Sequence, residues 1–334
     1  MKKLKRIVSK IFIFVMCLML FTGCDKSTNQ SKTDKITVVC TMFSQYDWAK
    51  QIIGDNENVE LILLGDTGVD MHSFQPTADD IITISECDVF IYVGGVSDSW
   101  VNDALEQAKN EDMIVVNMMG VLGDNLKQEE HVEGMEEHEH DEDEHDDAHS
   151  EHDNLAEYDE HVWLSVKNAT IICDAIADAM CKVDLDNSSE YKSNLEEYKI
   201  KLNELDVAYQ TAVDEGANKT ILFADRFPYI YLMKDYSIEY YAAFAGCSAD
   251  TEASFETVAF LAGKIDELNL SVVLIEKGSS QDLAKTIINS TTSKAQAIME
   301  MNSIQAVTKE QLEAGETYIS IMQSNLEVLK QALN

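Results

Sequence analysis

Two series of short apolar runs, each run followed by an amphipathic stretch, constrain this chain more than any other feature. In the first series, Ile36 to Met42, Val59 to Gly65, Val89 to Val93 and Met113 to Met118 read as strands, with helices over Ser44 to Ile53, Ala78 to Glu86 and Ser99 to Lys109. Strands joined through helices pair in parallel, and a parallel sheet is covered by those helices on both faces. A second strand-and-helix series runs through Thr220 to Ala224, Pro228 to Lys234, Ile238 to Phe244, Phe255 to Glu267 and Ser271 to Ile275, with helices expected onward to Asn334. Between the two, helical periodicity covers Val162 to Cys181, and Asn187 to Asp214 carries Leu195, Tyr198, Leu202, Leu205 and Tyr209 at spacings of three and four, the narrow stripe of one long helix. The expected fold is therefore α/β: two lobes, each a mainly parallel sheet flanked by helices, joined by one long rigid helix. The expected boundaries are 35–182 for the first lobe, 183–216 for the joining helix and 217–334 for the second lobe. Ligands of such folds bind outside the carboxyl ends of the strands.

The beginning of the chain addresses it out of the cytoplasm. Lys2, Lys3, Lys5 and Arg6 precede an apolar run from Ile11 to Phe21 and then Thr22-Gly23-Cys24. That run is shorter than the ~20 residues a membrane span needs, so 1–23 reads as a signal peptide cleaved before Cys24. Phe-Thr-Gly-Cys resembles the bacterial lipobox, although leucine is more usual three places before the cysteine. The resemblance implies a lipid on Cys24, a polar tether over 24–34 and an extracytoplasmic, membrane-anchored protein. A formal charge of −36 excludes nucleic acid as a natural partner and favours cations. Cys40, Cys87, Cys173, Cys181 and Cys247 are odd in number and lack CxxC spacing, so they read as core residues rather than a disulfide framework.

All eight histidines lie between His72 and His161. His131, His138, His140, His145, His149 and His152 sit in a strongly acidic loop over 124–160 that cannot bury a core and is expected to be disordered and metal-attracting. Without fixed geometry such a loop binds borderline metals loosely; its plain alternative is a solubilising acidic segment. His145-Asp-Asp-Ala-His149 has zinc-protease spacing, but aspartate stands where that motif needs glutamate. His72 and His161 differ, because each sits in a locally structured setting: His72 follows the strand ending at Gly65 just before a helix, His161 follows the acidic loop at the start of another, and both would point from a strand-to-helix edge toward a cleft. A surface or capping role is the alternative for both.

The string Leu64-Gly-Asp-Thr-Gly-Val-Asp-Met-His72-Ser-Phe-Gln-Pro-Thr-Ala-Asp-Asp resembles the first-ligand motif of the zinc and manganese substrate-binding lipoproteins of ABC importers. Glu160-His161-Val-Trp-Leu resembles their second-ligand motif, and Gly315-Glu-Thr-Tyr-Ile-Ser-Ile-Met-Gln-Ser-Asn-Leu their C-terminal helix. The resemblance covers essentially the whole chain after the signal. It implies one metal at the interface of two lobes, with His72 and His161 as ligands. The family's third ligand, usually histidine or glutamate, falls in Phe223-Ala-Asp225-Arg-Phe-Pro-Tyr229, which points to Asp225; a helix cap or an ion pair with Arg226 is the alternative there. The fourth, usually acidic, falls on Asn302, a poor zinc ligand, leaving Glu276, Glu300 or water as substitutes.

The function implied is capture of a divalent metal and delivery to a membrane permease by a monomeric, non-enzymatic protein. The histidine-rich loop accompanies zinc proteins in this family, so zinc is expected, with manganese as the alternative. A metal-dependent surface adhesin is a second reading. A zinc hydrolase is a third, and would need an open coordination position beside a general base.

Overall fold

The computed structural model describes residues 35–64, 68–136, 158–248 and 252–334. Its first sheet contains β1 (Ile36–Cys40), β2 (Val59–Leu63), β3 (Val89–Tyr92) and β4 (Ile114–Asn117), all parallel, in the order β2-β1-β3-β4. Helices α1 (Phe43–Ile53), α2 (Ala78–Glu86) and α3 (Val101–Glu106) make the crossovers, and the short α4 (Met118–Leu122) follows β4. Thr77 starts α2 with a reciprocal cap, its side chain accepting from Asp80 N while Asp80 accepts from Thr77 N.

After α5 (Val166–Val183) comes α6 (Ser188–Glu215), the long helix expected from the stripe. Its buried residues are Tyr191, Leu195, Tyr198, Leu202, Leu205, Tyr209, Ala212 and Val213, one face of an otherwise charged rod. That rod is about 42 Å long at 1.5 Å per residue. It packs on α1 and α5 and on α7 (Ile230–Tyr236) and α11 (Tyr318–Ala332). Tyr209 donates to the Met322 carbonyl at 2.7 Å and Tyr236 donates to Asp206 at 2.8 Å, so polar ties reinforce the apolar stripe.

The second sheet repeats the strand order of the first, β6-β5-β7-β8, from β5 (Thr220–Phe227), β6 (Glu239–Ala245), β7 (Val272–Glu276) and β8 (Ala297–Met301). Helices α8 (Phe255–Leu268) and α9 (Asp282–Ser290) cover it, and α10 (Lys309–Glu313) precedes α11. Strand β8 departs from the all-helical expectation after Ile275. Ala-Ile-Met-Glu-Met favours helix by local propensity, but parallel pairing of Val272 to Glu276 with Ala297 to Met301 overrides it.

The two sheets are not separated by a seam: one continuous apolar cluster holds Val38, Ile91 and Val116 from the first, Ile221, Phe223 and Leu274 from the second, and the α6 stripe between them.

The acidic loop differs from its expectation at both ends. Residues 124–136 and 158–160 are ordered against the second sheet. Met135 is buried, Glu136 N donates to the Ala243 carbonyl, and Lys127 N donates to Tyr231 Oη. Glu130 accepts from Tyr240 Oη at 3.2 Å and pairs with Lys234 at 2.8 Å, so specific partners hold carboxylates that composition alone would leave to solvent. Gln128 and Tyr158 close the strap with an antiparallel bridge. His138, His140, His145, His149, His152 and Cys24 lie outside the described residues.

Leu202, fully buried in the middle of α6, tests the joining helix. Leu202→Ala is expected to lower the free energy of urea unfolding by about 2–5 kcal/mol, through lost transfer energy and a residual cavity.

Candidate metal centre

Most side chains that converge on the cleft leave a carboxyl strand end or the loop directly after it, and His161 enters from the turn that leads into α5. Met71–Ser73 is a single 3₁₀ turn beyond β2, capped by Asp70, whose Oδ1 accepts from His72 N at 3.0 Å. Val96–Asp98 is a second such turn, beyond β3. His161 precedes the turn Val162–Leu164 that leads into α5. From the second sheet come Arg226 on β5, Cys247 after β6, Glu276 ending β7, and Ser303 and Gln305 after β8. Sheets that present their carboxyl ends to one another create the crevice where such folds bind.

His72 and His161 meet. Their Nε2 atoms are 3.2 Å apart, and their rings cross at 62°. His161 is fully buried, and its Nδ1 lies 3.0 Å from Asp159 Oδ1, while the same carboxylate oxygen accepts from His161 N at 2.8 Å. A carboxylate only accepts, so Nδ1 carries the proton and Nε2 presents a lone pair. His72 Nδ1 lies 2.7 Å from Ser97 Oγ and Gln305 Nε2 lies 3.3 Å from His72 Nε2, an arrangement satisfied with the His72 proton on Nδ1. His161 Nε2 then accepts from His72 Nε2 when that nitrogen carries the proton, or shares one cation with it when Nδ1 does. Two nitrogens each bound to one tetrahedral zinc at about 2.05 Å stand about 3.3 Å apart, against the 3.2 Å observed.

The electrostatic setting favours a cation. Burial alone would lower His161, but the charge and hydrogen bond of Asp159, then the charges of Glu160 and Glu276, outweigh it and hold the imidazole above the ordinary histidine value. His72 moves the other way: burial and the neighbouring His161 lower it, with Arg226 adding to them, against the opposing pull of Asp70 and Glu160. Glu160 is buried and accepts from Ser97 N at 3.0 Å, so it also fixes the turn that carries the His72 partner. That approach requires glycine at position 95, where a Cβ would fall 2.3 Å from Glu160 Cγ.

The structure places the other two expected ligands away from the histidine pair. Asp225 sits where the pairing of β5 with β6 shifts register, and its oxygens accept from Arg226 N at 2.9 Å and Glu276 N at 3.1 Å. It therefore secures the strand ends, and Arg226 beside it is the residue that reaches across, with Nη2 3.3 Å from both Asp70 Oδ2 and Glu276 Oε2. Asn302 is engaged locally: Oδ1 accepts from Ile304 N at 2.8 Å, and its backbone pairs with the Asn325 side chain. Glu300 is exposed, and with Asn302 it lines a separate hollow of about 400 Å³. Glu276 accepts from Ser303 Oγ as well as from Arg226. His131 is not among the grouped donors.

What joins the pair instead is Cys247. Among the described residues, His72, His161 and Cys247 offer donor atoms that all lie within 4.8 Å of one another. Position 246 must be glycine for this turn to approach, since a Cβ there would stand 2.8 Å from the Phe227 carbonyl oxygen and 3.2 Å from His161 Cε1. A cleft of about 570 Å³ opens onto the cluster, lined by His72, Ser97, Trp100, Glu129, Glu160 and Cys247 among others. Cys247, expected in the core from the sequence, is exposed at the cleft instead, and Gln305 was not singled out; the available signal for the cysteine was a Gly-Cys pair directly after an apolar strand, at a carboxyl strand end.

Residues 38–332 match the family described as ZnuA, zinc-uptake complex component A, periplasmic. The chain belongs to this family. ZnuA-family proteins are components of zinc-uptake complexes rather than enzymes. The high-affinity zinc uptake system protein ZnuA of Bacillus subtilis strain 168 is 32% identical over 329 residues, which cover 97% of each chain. The zinc-binding lipoprotein AdcA of Streptococcus pneumoniae R6 is 29% identical over 336 residues, 99% of this chain and 61% of AdcA, so the chain spans about three fifths of that relative. Among solved structures, the Zn(II)-bound ZnuA-like domain of S. pneumoniae AdcA superposes with a TM-score of 0.68 at 25% identity, covering 90% of this chain and 99% of the domain.

Asp98 supports the same turn as Ser97 and gives a pH signature. Its Oδ2 accepts from Val93 N at 2.7 Å and Gly94 N at 3.1 Å, and burial pushes its carboxyl up to about 6. With the folded value above the ~3.9 of an unfolded aspartate, its stabilising contribution is complete below about pH 4 and is lost as pH rises through 6. Asp98→Asn, whose amide oxygen accepts the same two bonds, is expected to gain on the wild type between pH 4 and pH 7, by up to ~3 kcal/mol in urea unfolding. A pH-independent difference between the two proteins contradicts this.

Proposed function

We propose that this protein captures zinc outside the cytoplasm, in the cleft between its two sheets, and passes it to a membrane permease of an ABC importer. The observation that carries the proposal is the pair of Nε2 atoms of His72 and His161, held at a zinc-like separation and each ring fixed by a partner on its Nδ1. Partners of this kind orient ligating imidazoles and raise their basicity. The B. subtilis relative is named for zinc uptake and the S. pneumoniae relative for zinc binding, and the similar AdcA domain was solved with Zn(II) bound; all three support zinc over manganese and over an adhesin role.

In this reading zinc sheds water as it enters the cleft and displaces the proton between the histidines, so the bound metal knits the loop after β2 to the segment leading into α5. Asp225 and Asn302 are engaged with backbone N–H groups rather than with the histidine pair, so the reading rests on the histidines. Handing the ion on requires the permease to spread His72 from His161, and protonation of His161 assists because imidazole must be neutral to bind.

Anchoring through Cys24 after removal of 1–23 is part of the proposal, as is action as a monomer. The lipoprotein name of AdcA supports the anchor, and among the described residues no helix is long and apolar enough to cross a membrane. The histidines of the acidic loop would gather metal near the cleft mouth, where Glu129 and Tyr158, at the loop's two roots, line the opening.

Calorimetric titration of the metal-stripped protein with zinc is expected to find one tight site that survives replacement of 137–157 by a short Gly-Ser linker. That site should weaken at least ~100-fold in His72→Ala or His161→Ala and ~10–100-fold in Asp159→Asn. Tight binding that disappears with the loop and persists in both histidine variants would remove the cleft as the receptor.

A further inference from the structure

The donor set in the cleft contains a sulfur atom that neither the sequence motifs nor the names of the relatives account for. Cys247 follows β6 and is exposed toward the cleft, and Cys247, His72 and His161 keep their donor atoms within 4.8 Å of one another. The other cysteines among the described residues are placed differently: Cys40, Cys87 and Cys173 are buried in the core, and Cys181 at the end of α5 has its sulfur near the Ser188 carbonyl. Two further features aim this thiol at the histidines. Gly246 lets the turn lie against His161, and Glu129 accepts from Cys247 N at 3.3 Å, fastening the turn to the ordered strap across the cleft mouth. The histidine pair points independently to a ligand, because His161 is fully buried, its Nδ1 is held by Asp159, and its Nε2 stands 3.2 Å from His72 Nε2, close to the spacing of two nitrogens on one zinc.

We propose that Cys247 is the third protein ligand of the cleft and that it makes the site a His₂Cys centre selective for zinc-like, thiolate-binding cations over manganese. This rests on the zinc-capture reading and refines it. Bound to a tetrahedral zinc at 2.3 Å, a sulfur stands about 3.6 Å from a nitrogen bound at 2.05 Å. From the 4.8 Å limit, the sulfur has at most ~1.2 Å to close, a small movement for an exposed loop residue. As the sulfur–zinc bond forms, the S–H bond breaks and its proton leaves to solvent; no electron changes hands. The second sheet thereby supplies its metal ligand from the end of β6, while the end of β5 supplies a guanidinium neutralised by Asp70 and Glu276. Thiolate ranks zinc and copper(I) well above manganese, whereas two imidazoles and a carboxylate discriminate weakly.

Cobalt(II) reports the sulfur directly, because thiolate ligation gives a near-ultraviolet charge-transfer band that nitrogen and oxygen ligands do not. The full-length protein, reduced and metal-stripped, would be titrated with cobalt(II) beside Cys247→Ser and His161→Ala, with zinc and manganese affinities measured in parallel. The expected result is a charge-transfer band that saturates at one cobalt per chain and is absent from Cys247→Ser. Visible d–d absorption persists in that variant, its zinc affinity falls at least ~10-fold, and its preference for zinc over manganese narrows. A band that persists in Cys247→Ser overturns the proposal. So does its absence from the wild type when cobalt binds in a His161-dependent way, an outcome that leaves the capture reading standing. Failure of the wild type to bind cobalt or zinc in the cleft overturns both.

Discussion

Two imidazole nitrogens that face each other across 3.2 Å, each with its other nitrogen already committed, set the terms for the rest of this molecule. Such a pair shares a single proton or a single cation, and the surrounding structure holds the two rings at that spacing. The buried carboxylate of Asp159 locks one ring and the 95–98 turn locks the other through Ser97, while Glu160 joins those two supports by accepting from Ser97 N. Each of these groups is anchored in turn by the core. Trp163, two residues beyond His161, donates to the Ser303 carbonyl, and Tyr318 donates to the Trp163 carbonyl.

That support is stiff for a reason visible in the packing. The apolar cluster runs without a break from the first sheet through the α6 stripe to the second, and the Asp70–Arg226–Glu276 ion pairs tie the loop after β2 to the ends of β5 and β7. A protein built this way cannot open by rotation about a thin hinge; exchange of metal has to come from movements of the loops at the strand ends. Those loops carry His72, Ser97 and Cys247, and the ordered strap made by residues 124–136 and 158–160 is fixed to the last of them through Glu129.

The strand-and-helix rhythm was legible in the sequence because each element satisfies its pattern locally: Ala78–Glu86 and the stripe of α6 coincide closely with their expected spans. Strand β8 was not, since Ala297–Met301 becomes a strand only through its neighbour β7. The site divides in the same way. His72 and His161 sit in strings whose local order carries the information, and they meet. Asp225 was expected at the site by its position in such a string, but a carboxylate at a strand irregularity has backbone N–H groups within reach, and Asp225 takes two of them. Cys247 and Gln305 reach the histidines through tertiary structure; Gly246 is the one local mark beside the cysteine, and Gln305 has none. The ordering of the acidic segment's flanks likewise depends on Lys234, Tyr231 and Tyr240, far away along the chain.

The central claim, that one zinc ion sits between these histidines, is tested most directly by anomalous diffraction at the zinc edge from crystals of the zinc-loaded protein. A single strong peak is expected in the cleft, about 2.0–2.1 Å from Nε2 of both His72 and His161. A peak placed elsewhere, or one that touches neither Nε2, would contradict the claim.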